Sequence, residues 1–523
     1  MDRRILRLAC VLSALAAMGC GSPAPSVSGR WVGDARIGDA VDRIEIAVDS
    51  ADGARITLRS WSLSDAAASI TRNSGDTLII RTQGGGDTAY FRGATGERRW
   101  AGVAVRGKDT AAFDLRRLHP MLDEDWHQIV GTYRTGRGRL FGIGRLSEFG
   151  MQPMLVDYQT GWIGPLYPLS DRLFLYGSSV IAPLLPGDTA DLASDGLRLA
   201  EAGKTPVVAV RLNTRDEQVT FENGPVRLAG TLTLPATPAP WPAIVLVHGS
   251  NALTRDVFGP WTRFFAGLGF AVLAFDKRGT GGSTGDWKQA DFAALAGDVV
   301  AGVRFLQGRS DIDQDRIGLW GASQAGWIMP MVAVRAADDI AFMIVHAGSG
   351  TTVAEQGRLN LAYELRFSGL SEKSVATGMQ YRALDDNATR TGRGLEAVRG
   401  FYEAHRTSEP WLWEPAPADA WFRTYYRMLM DFDPSPWWPR VKCPVLFFYG
   451  ELDANVPPVE SWPPIEAALR RGGNPSVTQV VLPGANHLML SAKTGARDEY
   501  PHLSHFVPGY FEGMRQWLGT LNP

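Results

Sequence analysis

Cysteine is almost missing from this chain, with 3 in 523 residues. Cys10, Cys20 and Cys443 form no C-x-x-C pair, so a disulfide scaffold has nothing to build on. The 8 histidines do not cluster and no H-E-x-x-H occurs. No metal and no cofactor is therefore expected. Long runs of one charge are also missing, and the net charge is only -2. That argues against nucleic acid or an anionic membrane surface as the main partner. The N-terminal apolar run, Leu8 to Met18, is too short to span a bilayer comfortably. What remains is ordinary globular composition, 45% hydrophobic and 21% charged, in a chain too long for one core. Two or three domains follow.

The N-terminus reads as a targeting segment. Met1-Asp-Arg-Arg-Ile-Leu-Arg7 supplies positive charge, the apolar run follows, and Ala17-Met18-Gly19-Cys20 leads into a loose polar stretch to Ser28. This resembles a bacterial lipobox, with Ala17 where leucine is usual. The resemblance implies a lipidated Cys20, export to the cell envelope, and a membrane association through that anchor alone, facing the periplasm. An ordinary signal peptide and secretion is the alternative. Cys443 would then stand alone in an oxidising compartment, just before an apolar strand, as a buried and inert thiol.

From about residue 29 to 117 the chain alternates apolar and polar residues in short runs, such as Arg43-Ile-Glu-Ile-Ala-Val48 and Thr77-Leu-Ile-Ile-Arg81. A similar series continues over 118–215, with no clear helical period. These predict one or two small antiparallel β-domains, sandwich or barrel. Residues 216–523 differ. Two strands around Asn223-Gly224 predict a hairpin. Then almost wholly apolar strands alternate with helical stretches: Ala243–Val247, Phe270–Phe275, Arg316–Trp320, Phe342–Val345, Pro444–Tyr449 and Val477–Leu482. Such strands are buried on both faces, hence a mostly parallel sheet with helices on each side. An insertion over 351–440 has helical periodicity and reads as a cap. One or two of its aromatics, among Trp411, Trp413, Trp421, Tyr425, Trp437 and Trp438, are expected to line the roof of a pocket.

In a parallel sheet, function gathers where the strands end. After Val247 comes His248-Gly249-Ser250, and after Trp320 comes Gly321-Ala322-Ser323. After Tyr449 comes Gly450-Glu451-Leu452-Asp453, and after Leu482 comes Pro483-Gly484-Ala485-Asn486-His487. Serine, aspartate, histidine is the chain order of an acyl-transfer triad on this kind of sheet. Ser323 would attack, His487 would take and return its proton, and Asp453, rather than Glu451, would hold the imidazole. The oxyanion donors are expected to be the backbone N–H groups of Ser250 and Gln324. His248 is read as a structural hydrogen bonder, and His502 and His505 as solvated or satisfied.

A competing serine must be weighed. Gly281-Gly282-Ser283-Thr284-Gly285 satisfies G-x-S-x-G, whereas Ala325 breaks that pattern around Ser323. Yet only Ser323 sits directly between a strand and a helix, where a strained turn lifts a hydroxyl clear of the sheet. Ser323 is therefore the nucleophile of choice.

Together, Leu246-Val-His-Gly-Ser250, Phe275-Asp-Lys-Arg-Gly-Thr-Gly281, Gly321-Ala-Ser-Gln-Ala-Gly-Trp327, Gly450-Glu-Leu-Asp453 and Gly484-Ala-Asn-His487 resemble the serine α/β-hydrolase superfamily. The likeness is closest to its bacterial exported esterase branch, related to the serine aminopeptidase and dienelactone-hydrolase-like groups. It implies an α/β-hydrolase fold with a helical cap, preceded by the β-domains, acting on a small ester or a short acyl or peptide substrate. Asn251 and Ala252 depart from the Gly-Pro that often follows His-Gly-Ser there, and serine at 323 argues against dienelactone hydrolysis. A serine peptidase or acylaminoacyl hydrolase is the second expectation. A surface binding lipoprotein on a vestigial hydrolase scaffold is the third. Oligomeric state is not legible in these residues.

Overall fold

Alternating short strands can bury one face only by packing on a second sheet or closing on themselves, and here they close. The computed structural model describes residues 27–521, apart from 39, 50–52, 74–76, 85–86, 147–152, 194–195, 202 and several positions within 178–187. Cys20 and the leader lie outside the described residues. Eight antiparallel strands, from Gly29–Ile37 to Asp109–Arg117, form a barrel in simple chain order, and the last pairs with the first. Ile44, Ile46 and Val48 of one strand are buried while Glu45 and Ala47 between them are half-exposed. Trp31 and Trp100 meet edge to face at 5.7 Å in the interior, joined there by Phe91 and Phe113. The barrel is filled by its own side chains. This N-terminal unit ends at Pro120.

The second unit, from Met121, opens with a short helix, Asp123–Ile129, that strand periodicity gave no reason to expect. Eight strands from Gly131–Arg134 to Val207–Arg211 then form another closed antiparallel barrel. It is not a free accessory module. Its Tyr158 hydroxyl donates to the Pro260 carbonyl at 2.6 Å, and Thr132 Oγ1 donates to the Arg263 carbonyl at 3.0 Å. Gly144 lies so close to Gly259 that a Cβ there would sit 2.7 Å from the Gly259 Cα. The change of texture near 215 marks a change of secondary-structure class inside one compact unit.

The C-terminal sheet has eight strands, in the order Arg215–Asn223, Val226–Leu234, Ala271–Phe275, Trp241–Val247, Ile312–Ala322, Phe342–His346, Val445–Gly450 and Val477–Leu482. The first two strands pair as the expected hairpin, with Gly224 at φ +57° in its turn. From Ala271–Phe275 onward every pairing is parallel. The central strands are buried on both faces because helices cover both. Val477–Leu482 is only half-buried, since it is the sheet's edge. Chain order reverses at Trp241–Val247, which pairs with Ile312–Ala322 so that Val247 lies opposite Gly321. The crevice at that reversal is where such sheets bind ligands. Helices Val353–Phe367, Glu372–Thr391, Leu395–His405 and Trp421–Leu429 lie between the sixth and seventh strands and form the cap.

Candidate active site

The strand Ile312–Ala322 runs into the helix Ala325–Arg335 through two residues only, and Ser323 takes φ +58° to make the turn. For a residue with a Cβ, that conformation costs about 1–2 kcal/mol. The turn is pinned from both sides. Ser323 N–H donates to the His346 carbonyl at 2.8 Å, and its own carbonyl accepts from Gly326 N–H at 2.8 Å. A Cβ on Gly326 would meet the Gly348 Cα at 2.4 Å, so this glycine is sterically required. A Cβ on Gly321 would meet the Ala325 methyl at 2.6 Å. Ala325 therefore breaks the glycine pattern without breaking the turn: its buried methyl fills the space that Gly321 vacates.

His487 arrives on the loop after the edge strand. Its Nδ1 lies 2.9 and 3.0 Å from the two carboxylate oxygens of the buried Asp453. Asp453 is fixed in turn, because Oδ1 accepts from the backbone N–H groups of Asn455 and Val456 at 2.8 Å each. Glu451 instead accepts from Gly484 N–H at 2.9 Å and serves the loop backbone. Asn486 Oδ1 accepts from Leu488 and Leu490 N–H at 3.0 Å, which shapes the histidine loop, and Met489 turns it at φ +59°. Among the described residues, Ser323, Asn251, Ala347 and Met489 are four of the six positive-φ residues other than glycine, and all stand on loops at this edge of the sheet. Strain concentrates where chemistry is expected.

A cavity of about 540 Å³ opens here, lined by Ser323 and His487 together with Gly249, Ser250 and Asn251. A Cβ on Gly249 would be 3.8 Å from the Ser323 Cβ, so the loop after Val247 lies against the serine. Gln324 follows the serine and is buried. Asn251 adopts φ +72°, a conformation asparagine tolerates, which explains how this loop does without the usual Gly-Pro. One wall is apolar, with Val257, Phe258, Trp261 and Trp320, and Leu146 of the second barrel is part of it. The polar part of the lining is Gln356 and Asn360 of the cap with Asn455 and Arg497, and Asn455 is hydrogen-bonded to each of the other three.

None of the six cap aromatics lines this cavity; Trp421 and Tyr425 pack on Trp287 instead, and the cap's contribution is two amides. Leu146 was not foreseen, because nothing in a β-run announces that it faces another domain's pocket. His346 was missed as well. Its Nε2–H donates to the His487 carbonyl at 2.8 Å, while Nδ1 accepts from the Tyr510 hydroxyl at 2.8 Å. That hydroxyl accepts from Trp261 Nε1–H at 2.8 Å. Burial pulls the His346 imidazole down to about 3, so it stays neutral and holds the histidine loop by its backbone. The readable signal was its place directly after Phe342–Val345, another strand end.

The other single-residue readings are located too. Ser283 accepts from Ala229 N–H at 2.9 Å and donates to the Asp276 carbonyl at 2.7 Å, as a buried staple between loops. His248 packs on Phe258 and Phe275, and burial, then the Lys277 charge, holds it down at about 3. His502 and His505 are exposed, and His505 Nδ1 pairs with Ser504. Burial pushes the half-buried Cys443 thiol up to about 12. Among the described residues no group of three or more His, Cys, Asp or Glu could hold a metal ion, and no helix is long and apolar enough to cross a membrane.

A doubly wound sheet, a strained serine at its central strand-to-helix turn and a histidine–aspartate pair beside it define a serine hydrolase of the α/β-hydrolase class. The chain belongs to the X-Pro dipeptidyl-peptidase (S15) family, whose profile matches residues 223–488, from the hairpin turn to just past His487. Among curated relatives, an uncharacterized 31.7 kDa Escherichia coli protein from the traX-finO intergenic region is 27% identical over 242 residues, covering 44% of this chain and 79% of that protein. Esterase EstD of Thermotoga maritima is 25% identical over 300 residues, covering 56% of this chain and 65% of EstD. Of solved structures, a thermophilic esterase from Thermogutta terrifontis aligns over 59% of this chain and all of its own (100%), at 21% identity and TM-score 0.35.

Proposed function

We propose that this protein hydrolyses carboxylic esters through an acyl-enzyme on Ser323. His487 acts as base and then acid, Asp453 orients it, and the N–H groups of Ser250 and Gln324 receive the oxyanion. The observation that carries this reading is the Asp453–His487 pair held at 2.9 Å over a cavity that it shares with Ser323. The family contains peptidases that release dipeptides from a free amino terminus, and the same three residues serve an amide. Such an enzyme must anchor an ammonium group, for which a carboxylate is the natural partner. Among the described lining residues there is no Asp or Glu, and the one charged side chain, Arg497, is already paired with Glu364 at 3.0 Å. The lining therefore favours an ester with a neutral substituent and an apolar group against Leu146 and Trp261.

A panel of p-nitrophenyl esters set against X-Pro anilides tests this. Ester kcat/KM is expected to exceed anilide kcat/KM by about 100-fold or more, which corresponds to about 2.7 kcal/mol of transition-state discrimination. Anilide turnover equal to the best ester sinks the esterase reading in favour of the peptidase.

Leu146→Ala is expected to raise the ratio of kcat/KM for a longer over a shorter ester by about 10-fold. It removes methylene volume from the apolar wall, and each buried methylene contributes about 0.8 kcal/mol. An unchanged chain-length profile means that the barrel does not help select substrate.

A further inference from the structure

One buried charge beside the cavity has no task in this chemistry. Lys277 follows the strand Ala271–Phe275, and only 2% of it is exposed. Its Nζ donates to the Gly249 carbonyl at 2.9 Å, the Asn251 carbonyl at 3.1 Å and Gln324 Oε1 at 2.9 Å. Those three bonds use every proton of an ammonium group, and every acceptor is neutral. Gly249 and Asn251 bracket Ser250, and Gln324 follows Ser323. One cation thus grips both chain segments assigned to the oxyanion hole.

We propose that Lys277 is the positioning residue of the oxyanion hole, fixing the Ser250 and Gln324 segments against each other and favouring the anionic intermediate with its charge. The proposal rests on Ser323 being the nucleophile. Peptide planarity supplies the mechanism. In a trans peptide the C=O and the following N–H point in opposite directions. Drawing the Gly249 carbonyl onto Nζ therefore turns the Ser250 N–H away from the lysine side of the loop. The Gln324 amide side chain, also held by the Tyr425 hydroxyl at 3.4 Å, steadies the other segment. A preorganised hole needs no reorientation when negative charge develops.

Fold stability alone gives little reason for a charge here. Ammonium groups are costly to bury, and an apolar side chain of similar volume is often as stable or more so. No nearby carboxylate is spare. Asp276 is engaged by Arg255 at 2.9 to 3.1 Å and by Gly282 N–H, and Asp298 by Arg278 at 2.6 Å. His248 is neutral, and the Trp287 ring centre lies 5.7 Å from Nζ. With only neutral acceptors, burial pulls the Lys277 ammonium down to about 7. Charge is present below that pH and is lost as pH rises through it. On the alkaline side Nζ therefore loses one of the three donors that hold the Gly249, Asn251 and Gln324 segments, and the hole loses its neighbouring cation. An oxyanion would hold the proton longer. The alkaline limb should therefore be clearer in kcat/KM, which reports the free enzyme, than in kcat.

Lys277→Met in the full chain tests this with an ester substrate and a fluorophosphonate probe. Expected are a 10- to 100-fold fall in kcat with KM little changed, equally slower labelling of Ser323, and loss of the alkaline limb. Lys277→Arg, which keeps a charge that does not titrate in this range, is expected to recover part of kcat and to lack the limb as well. Lys277→Met activity within twofold of wild type overturns the proposal, and so does an alkaline limb that persists in it. Should Lys277→Met not fold, the wild-type profile decides: kcat/KM flat from pH 6.5 to 9 overturns it. If wild-type Ser323 is not labelled at all, the underlying reading fails rather than this one.

Discussion

Ser323→Ala is expected to abolish labelling by a fluorophosphonate and to lower kcat/KM for esters by about 10⁴- to 10⁶-fold, with KM changed little. The probe bonds covalently to an activated hydroxyl, so it asks which serine has a base within reach, independently of any substrate. Ser323 shares its cavity with His487, while the Ser283 hydroxyl is spent on Ala229 N–H and the Asp276 carbonyl. Ser283→Ala should therefore keep labelling. It leaves the Ala229 N–H without its partner, which costs about 1–3 kcal/mol of stability. The residual activity of Ser323→Ala would come from binding and the oxyanion hole alone. Undiminished labelling of Ser323→Ala, or loss of labelling only in Ser283→Ala, moves the nucleophile to the loop and dismantles the site described above.

The contrast between the two serines shows what a sequence carries and what it does not. The five-residue pattern favours Ser283, and the strand-end context favours Ser323. Context wins because the turn's requirement is steric, not literal: close contacts at Gly321 and Gly326 are satisfied with Ala325 between them. Chain order likewise brought Asp453 and His487 to neighbouring loops, since successive apolar strands in a parallel sheet put their ends on one edge. What stayed hidden was pairwise. Leu146 reaches the cavity through a barrel–hydrolase contact separated from Ser323 by well over a hundred residues of chain. His346 acts through a carbonyl and Lys277 through two, and neither role leaves a mark on composition or periodicity. The cap's aromatics were misjudged for a related reason. Helical periodicity says that Trp421 and Tyr425 share a face but not what covers it, and that face is occupied by Trp287.

Asp453→Asn is expected to cost about 10⁴-fold in kcat while leaving the fold intact, and the hydrogen bonds around Asp453 say why so small a change matters. Oδ1 accepts from two backbone N–H groups at 2.8 Å, so only an oxygen can occupy that position. The new amide must therefore place its NH2 where Oδ2 was, 2.9 Å from His487 Nδ1. Oδ1 also lies 3.0 Å from Nδ1 but is already occupied by the two backbone donors. An N–H on Nδ1 would meet the new NH2 head on, so the imidazole is driven to accept there and carry its proton on Nε2. That tautomer cannot take a proton from Ser323 and offers no stabilisation to an imidazolium. Circular dichroism and thermal unfolding close to wild type, with single-turnover acylation slowed by this factor, would match the expectation. A loss of tenfold or less would mean that His487 keeps its tautomer without Asp453, and Glu451 would then have to be reconsidered as its partner. Asp453→Ala offers the complementary measurement. With no amide to impose a tautomer, it is expected to retain more kcat than Asp453→Asn, although it leaves two backbone donors unpaired and unfolds at lower temperature. The two variants thus separate a carboxylate that selects a tautomer from one that merely fills space.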